Sequence, residues 1–145
     1  SPESKRSIAV MNEAFEARRD FVVDALNAMP GVSCQKPSGA FYVFPNIAGV
    51  VKDLQIDQAY AALPADVRAT TSPSTLFQMF LLWKYCVATM DRKSLGQIGT
   101  ENMHFLRLSI ATGMDDLKLG MERMAEAISD KEGFARFIEA GEHFS

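Results

Sequence analysis

Cysteine and histidine are scarce in this sequence of 145 residues, which holds two of each. Cys34 and Cys86 lie far apart in apolar surroundings and lack the C-x-x-C spacing of redox and zinc sites. We therefore predict two buried, reduced thiols rather than a disulfide. His104 and His143 are also far apart, and neither has a second ligand at metal spacing, so no metal site is predicted.

The sequence also lacks an excess of basic charge and a long apolar run. Fifteen Lys and Arg residues stand against 18 Asp and Glu, a net charge of −3, so nucleic acid is not an expected partner. The longest apolar run is interrupted by Gln78 and Lys84 and is too short to span a bilayer. No charged segment followed by an apolar core opens the chain, so we expect a cytoplasmic protein without a membrane partner.

Signatures of nucleotide binding and of covalent catalysis are missing too. There is no G-x-G-x-x-G or Walker pattern, and "GQIG" at 96–99 is only a loop signal. No Ser, Cys or Lys stands beside an evident base, so no catalytic nucleophile is assigned.

The first half of the chain predicts a long helix followed by short strands. Residues 3–29 carry apolar side chains at helical spacing, and Pro30-Gly31 ends the pattern. Residues 32–34 and the segment "GAFYVFP" predict two strands. The long polar connection at 46–72 predicts one short helix, near 57–63.

The second half predicts three more helices and two strands. Ser72 followed by Pro73 predicts the start of a helix that is apolar nearly all round and therefore buried on more than one side. Residues 86–89 and the segment "HFLRLSIAT" predict strands. Thr112 predicts the N-cap of the next helix, and "KEGFARFIEAG" predicts the last one.

The order of these elements, αββ, a connection, αββ and αα, predicts an α+β fold. We expect a small, largely antiparallel sheet with helices packed on one face and a long N-terminal helix. We predict a single domain at 1–145, in which 46–72 is a long connection and 131–145 is a C-terminal helix and tail.

Arg107 is the notable residue, because it stands in the middle of a strand that otherwise predicts burial. Side chains alternate along a strand, so Leu106, Leu108 and Ile110 share one face and Arg107 shares the other with Phe105. A guanidinium keeps its charge and needs an anion or water. Its planar fork suits a carboxylate, either a ligand or an Asp or Glu of the same domain.

Four segments, in this order and spacing, resemble a known family. They are "FEARRDFVVDALNAMPGVSC", "PSGAFYVFPNI", "LLWKYCVAT" and "LRLSIATGMDDLKLGMERM". Together they resemble the C-terminal small domain of the fold-type I, pyridoxal-phosphate-dependent class I/II aminotransferases, the aspartate aminotransferase group. The resemblance covers most of the chain, apart from the connection and the tail after about residue 130.

The resemblance implies roles for two residues. The family's R-x-S arginine binds the substrate α-carboxylate, and Arg107 holds that position. The glycine-aromatic strand brings a ring near the substrate, and Phe41 matches it. The implied reaction is transamination of an amino acid and a 2-oxo acid, in a ping-pong cycle in which pyridoxal 5′-phosphate supplies the electron-sink chemistry.

The resemblance also implies that this chain is part of a larger enzyme. The family's Schiff-base lysine, pyridinium aspartate and phosphate-binding residues belong to a large domain, and Lys84 and Lys93 lie in the wrong motifs to replace that lysine. We therefore expect a C-terminal fragment that is inactive alone and holds no cofactor. The full-length protein is expected to be a homodimer.

One loop departs from the family, which commonly has "PGS" where this chain has Asp91-Arg92-Lys93. Either Arg92 or Lys93 contacts a second acidic group on the substrate, or the loop is a solvated surface.

Two other functions compete with the enzymatic one. A stand-alone, non-enzymatic α+β module that binds small carboxylates would also use Arg107. A purely structural domain would pair Arg107 internally. A piece of a larger protein should expose an apolar patch that an independent domain would not.

Overall fold

The computed structural model of the chain describes residues 2–36, 41–91 and 104–141. Within these ranges the helices are α1 (Pro2–Asn27), α2 (Ala48–Asp53), α3 (Ile56–Ala61), α4 (Ala65–Thr70), α5 (Pro73–Tyr85), α6 (Met114–Ala127) and α7 (Lys131–Ala140). The strands are β1 (Tyr42–Val43), β2 (Met90–Asp91) and β3 (Leu106–Ser109). No helix in these ranges combines the length and the apolar character that crossing a membrane requires.

The three strands form one antiparallel sheet with β3 in the centre. The strand order is β1-β3-β2, and β3 pairs antiparallel with both neighbours. Tyr42 of β1 lies opposite Ser109, and Met90 of β2 lies opposite Arg107. These elements confirm the predicted α+β fold with a small antiparallel sheet and a long N-terminal helix.

One apolar core joins β3 to the helices. Leu106, Leu108 and Ile110 are buried in it, as the alternation predicts. Aromatic rings connect α5 with α7, where Phe80 meets Phe134 edge-on with ring centroids 5.4 Å apart. The helices therefore pack on the leucine face of the sheet, and the opposite face of β3 carries Arg107.

Helix α5 begins as predicted. Ser72 is its N-cap, and the Ser72 hydroxyl oxygen accepts a hydrogen bond from the Thr75 backbone N–H at 3.2 Å. Pro73 stands at the first helical position, where its missing N–H costs no hydrogen bond.

The segment predicted as a long connection, 46–72, holds more structure than expected. It contains three six-residue helices, α2 to α4, instead of one. Several of its apolar side chains are buried in the core: Ile47, Val50, Val51, Leu54 and Ile56. A six-residue helix spans fewer than two turns, so it carries too few apolar positions for a helical period to be visible in the sequence.

The strand predicted at 86–89 is wrong by a few residues. Cys86 ends α5 in the left-handed conformation, with φ of 56°, and sheet pairing begins only at Met90. Cys86 is consequently exposed, which corrects the prediction of two buried thiols, whereas Cys34 is buried. Burial raises the pKa of the Cys34 thiol.

Other element ends also differ from the sequence prediction. The strand expected at 32–34 is a single bridge between Ser33 and Asn46. Gly113 rather than Thr112 is the N-cap of α6, and the Thr112 hydroxyl donates to the Asp116 carboxylate at 3.2 Å.

Two contacts fix the turn between α1 and the sheet. The Asn27 side chain donates to the Cys34 carbonyl at 2.9 Å and accepts from the Cys34 N–H at 2.8 Å. Gly31, with φ of +81°, lies against Gly49 so closely that a Cβ on Gly31 would stand 2.8 Å from the Gly49 carbonyl carbon. The backbones of the turn and of α2 therefore approach each other at a point that no larger residue fits.

Asp130 joins the end of α5 to the start of α7. One carboxylate oxygen caps α7 by accepting from the Gly133 N–H at 3.0 Å. The other accepts from the Tyr85 hydroxyl at 2.7 Å and from the Lys84 ammonium. Burial raises the pKa of Asp130, but these hydrogen bonds outweigh burial and hold the pKa below its usual value.

Gly49→Ala is expected to lower the free energy of unfolding by about 1–3 kcal/mol, because its Cβ would overlap Gly31. Gly120→Ala is the control, since nothing lies within 4 Å of a Cβ there and alanine favours a helix over glycine by about 1 kcal/mol. Urea unfolding of both variants measures this. Equal stability of the two would contradict the close approach.

Asp130→Asn keeps a good N-cap but removes the charge, so we expect it to cost about 1–2 kcal/mol at pH 7. Because the folded-state pKa of Asp130 is lowered, its contribution is present above the unfolded-state pKa of about 3.9 and is lost as the pH falls through the folded-state value. The stability gap between wild type and variant should therefore narrow below about pH 4.

Urea unfolding at several pH values between neutral and acid measures that gap. Glu132→Gln is the matched control, because Glu132 forms an exposed pair with Arg136 and should change stability by less than about 0.5 kcal/mol. A gap for Asp130→Asn that stays constant down to about pH 3 would exclude a role for the charge.

Candidate functional site

Arg107 lies on the central strand of the sheet and faces away from the core. Burial alternates along β3 without interruption: Leu106 and Leu108 are buried, Arg107 is half-buried and Ser109 is exposed. The strand period therefore turns the guanidinium to the side opposite the helices. The backbone pairs of β3 with β1 and β2 hold the residue from both sides.

The ring of Tyr42 lies against the Arg107 guanidinium. The distance from the guanidinium carbon to the ring centroid is 4.7 Å, within the range of a cation–π interaction. Tyr42 pairs with Ser109, two residues beyond Arg107, so the contact is a diagonal cross-strand pair on one face of the sheet. The contact between Tyr42 and Arg107 therefore depends on the register between β1 and β3.

This arrangement suits recognition of a small anion. A guanidinium is charged at every physiological pH and presents its N–H donors in a planar fork that matches a carboxylate. Charge-assisted hydrogen bonds of this kind contribute roughly 1.5–3 kcal/mol each. Half-burial of Arg107 lowers the local dielectric without closing access from solvent, which strengthens such bonds.

Phe41, the other predicted site residue, contacts the long helix. Its ring meets the ring of Phe15 in α1 edge-on, with centroids 4.9 Å apart. Its backbone carbonyl accepts from the Ile110 N–H at 2.9 Å, which extends the pairing of β1 with β3. Phe41 is nevertheless 54% exposed, so much of its ring is available to another molecule or domain.

Tyr42 therefore brings a ring to Arg107, although no local signal in the sequence indicates this contact. The signal that would identify it is the register between β1 and β3. Neither strand is long enough to fix that register from its own sequence pattern.

The charged loop that departs from the family, Arg92-Lys93, lies outside the described residues, and so does His143. Asp91 is the last residue of β2, and its backbone pairs with Leu106 of β3. Asp91, the residue before Arg92, therefore lies on the strand next to β3.

Lysines with a charged partner are engaged away from Arg107. Lys84 binds Asp130 at the junction of α5 and α7, and Lys36 binds Asp20 of α1 at 2.7 Å.

Among residues 14–36, 41–89 and 104–141, no cluster of three or more His, Cys, Asp and Glu side chains is placed to hold a metal ion.

The family model and the curated relatives that match this chain all describe aminotransferases. Residues 1–128 match the family model described as aminotransferase class I and II. The probable aspartate/prephenate aminotransferase of Aquifex aeolicus is 35% identical over 131 residues, covering 90% of this chain and 27% of the relative. The aspartate aminotransferase of Pyrococcus horikoshii is 30% identical over 132 residues, covering 91% and 28%.

Solved structures agree with these relatives. The aspartate aminotransferase from Rhizobium meliloti matches with a TM-score of 0.60 and 33% identity, covering 80% of this chain and 25% of that chain. The aromatic aminotransferase from Pyrococcus horikoshii matches with a TM-score of 0.66 and 26% identity, covering 92% and 29%. The chain thus spans little more than a quarter of the length of the curated relatives it matches.

Proposed function

Because this chain belongs to the class I and II aminotransferase family, we propose that it binds the substrate carboxylate in a pyridoxal-phosphate-dependent aminotransferase. The observation that carries the proposal is the placement of Arg107 on the central strand, half-buried and turned away from the core. The R-x-S position that resembles the family's carboxylate-binding arginine is thus the position that the fold turns outward.

Transamination explains why one arginine suffices for both half-reactions. The reaction moves an amino group between an amino acid and a 2-oxo acid, and the carboxylate next to the reacting carbon is unchanged throughout. A permanently charged fork can therefore hold every substrate and product in one orientation. Arg107 orients the acid and takes no part in proton transfer.

The family depends on pyridoxal phosphate, which needs a lysine beside the substrate. In this chain Lys84 and Lys36 are engaged in ion pairs with Asp130 and Asp20. We therefore propose that the covalent lysine and the phosphate-binding groups come from a large domain outside this chain. This chain is then the small domain, at the C-terminal end of the enzyme.

Exposed apolar side chains support a role within a larger protein. On α5, Leu82 is 58% and Trp83 is 41% exposed, although other apolar residues of the same helix are fully buried. Large apolar side chains exposed on an otherwise buried helix are typical of a surface that another part of the molecule covers. This observation favours the enzymatic role over a stand-alone carboxylate-binding module.

Phe41 is a second proposed substrate contact. Its 54% exposed ring offers apolar surface next to the sheet that carries Arg107, which an amino-acid side chain or the large domain can cover. We propose that the full-length enzyme is a cytoplasmic homodimer acting on amino and 2-oxo acids.

Arg107→Ala in the full-length enzyme is expected to lower kcat/KM by roughly 10²–10³-fold, because the charge-assisted bonds to the carboxylate are lost. Steady-state kinetics with an amino acid and a 2-oxo acid measure this, and the cofactor spectrum should not change. Arg136→Ala is the control, since Arg136 is an exposed residue of α7 paired with Glu132. Equal kinetics of Arg107→Ala and wild type would exclude the assignment.

This chain alone is expected to form no stoichiometric adduct with pyridoxal phosphate. Mixing, reduction with borohydride and mass spectrometry of the peptides measure covalent attachment, and the full-length enzyme serves as the positive control. Partial, scattered labelling of exposed lysines is compatible with the proposal. Complete labelling of a single lysine of this chain would show that it carries the cofactor site itself.

A further inference from the structure

The contact between Tyr42 and Arg107 points to a role for Tyr42 in the site. The Arg107 guanidinium carbon stands 4.7 Å from the centre of the Tyr42 ring. Resting on the function proposed for Arg107, we infer that Tyr42 is a positioning residue, whose ring holds the guanidinium in the orientation that receives the substrate carboxylate. The inference extends the site by one residue from the neighbouring strand.

An aromatic ring suits this task better than an acidic side chain would. A carboxylate of the protein beside Arg107 would accept its N–H bonds and cancel its charge, so it would compete with the substrate. A ring attracts the cation through its π face and accepts no conventional hydrogen bond, so the positive charge is kept. A ring can therefore orient the guanidinium without itself being a competing anion.

The ring is itself held by the sheet. Val43, the next residue, is fully buried on the opposite face and fixes the end of β1 in the core. On the other side, the Phe41 carbonyl accepts from the Ile110 N–H. Tyr42 therefore stands between two anchored residues, and only its two side-chain torsions remain to be set by contact with Arg107.

The Tyr42 ring covers one side of the guanidinium. Tyr42 is 40% exposed, so its ring is only partly covered. The ring restricts the guanidinium from the β1 side. A flexible arginine side chain loses rotamer freedom on binding, and a partner that already restrains it reduces that loss.

The test uses three variants of Tyr42 in the full-length enzyme. Tyr42→Leu should raise KM for both the amino acid and the 2-oxo acid roughly three- to tenfold, with kcat and cofactor binding nearly unchanged. Tyr42→Phe, which keeps the ring, should stay within about twofold of wild type, and Tyr42→Trp should bind at least as well. A loss in Tyr42→Phe as large as in Tyr42→Leu would overturn the inference, because the hydroxyl would then be the group that matters.

A double-mutant cycle separates this inference from the function on which it rests. If the ring acts through Arg107, Tyr42→Leu should have no further effect on KM when Arg107 is already alanine. An undiminished effect in that background would overturn the positioning role while leaving the function of Arg107 intact. If the Arg107→Ala variant alone had the same kinetics as wild type, the proposed function itself would be overturned. The inhibition constant of acetate, a competitive inhibitor that offers only a carboxylate, is measured for the same four proteins and should show the same pattern as KM.

Discussion

The strict alternation of side chains along β3 is the constraint on which the rest of the structure depends. Three apolar residues, Leu106, Leu108 and Ile110, are buried on one side of this strand. Each contributes roughly 1.5–3 kcal/mol by burial, and a slip of one residue would expose all three and bury the charge of Arg107. The direction of the guanidinium is therefore determined by the packing of its neighbours. A binding residue gains its orientation here from side chains that never contact a ligand.

Because β3 is the central strand, the site is assembled from residues of neighbouring strands. β1 and β2 pair with β3 from either side, so the backbones of three separate segments of the chain lie side by side in the sheet. Tyr42 comes from β1 and places its ring against Arg107, and Met90 of β2 lies opposite Arg107 in the backbone register. The resemblance to aminotransferases concerns single segments of sequence, whereas the grouping of these segments follows from the sheet.

The sequence predicts the long elements and fails on the short ones, for a physical reason. Helix α5 has a strong start at Ser72 and Pro73, and β3 has a complete alternation, so local signals suffice for both. The helices α2 to α4 depend on contacts with the core at single residues such as Val50 and Ile56, which no local period reveals. Arg107 could be identified as a strand residue with an unusual charge. Tyr42 could not, because its place beside Arg107 depends on a register that tertiary packing sets.

The ties between α1 and the sheet have a mechanical consequence. Asn27 binds Cys34, in the segment that leads to β1, through two hydrogen bonds, and Phe15 packs on Phe41 at the edge of β1. Helix α1 has 26 residues, which corresponds to a rod of roughly 39 Å. A tilt of about 5° at one end of such a rod shifts the other end by roughly 3 Å, about one hydrogen-bond length. Both contacts lie in the C-terminal half of α1, so a tilt about them would displace the N-terminal end of the helix and leave the strands in place.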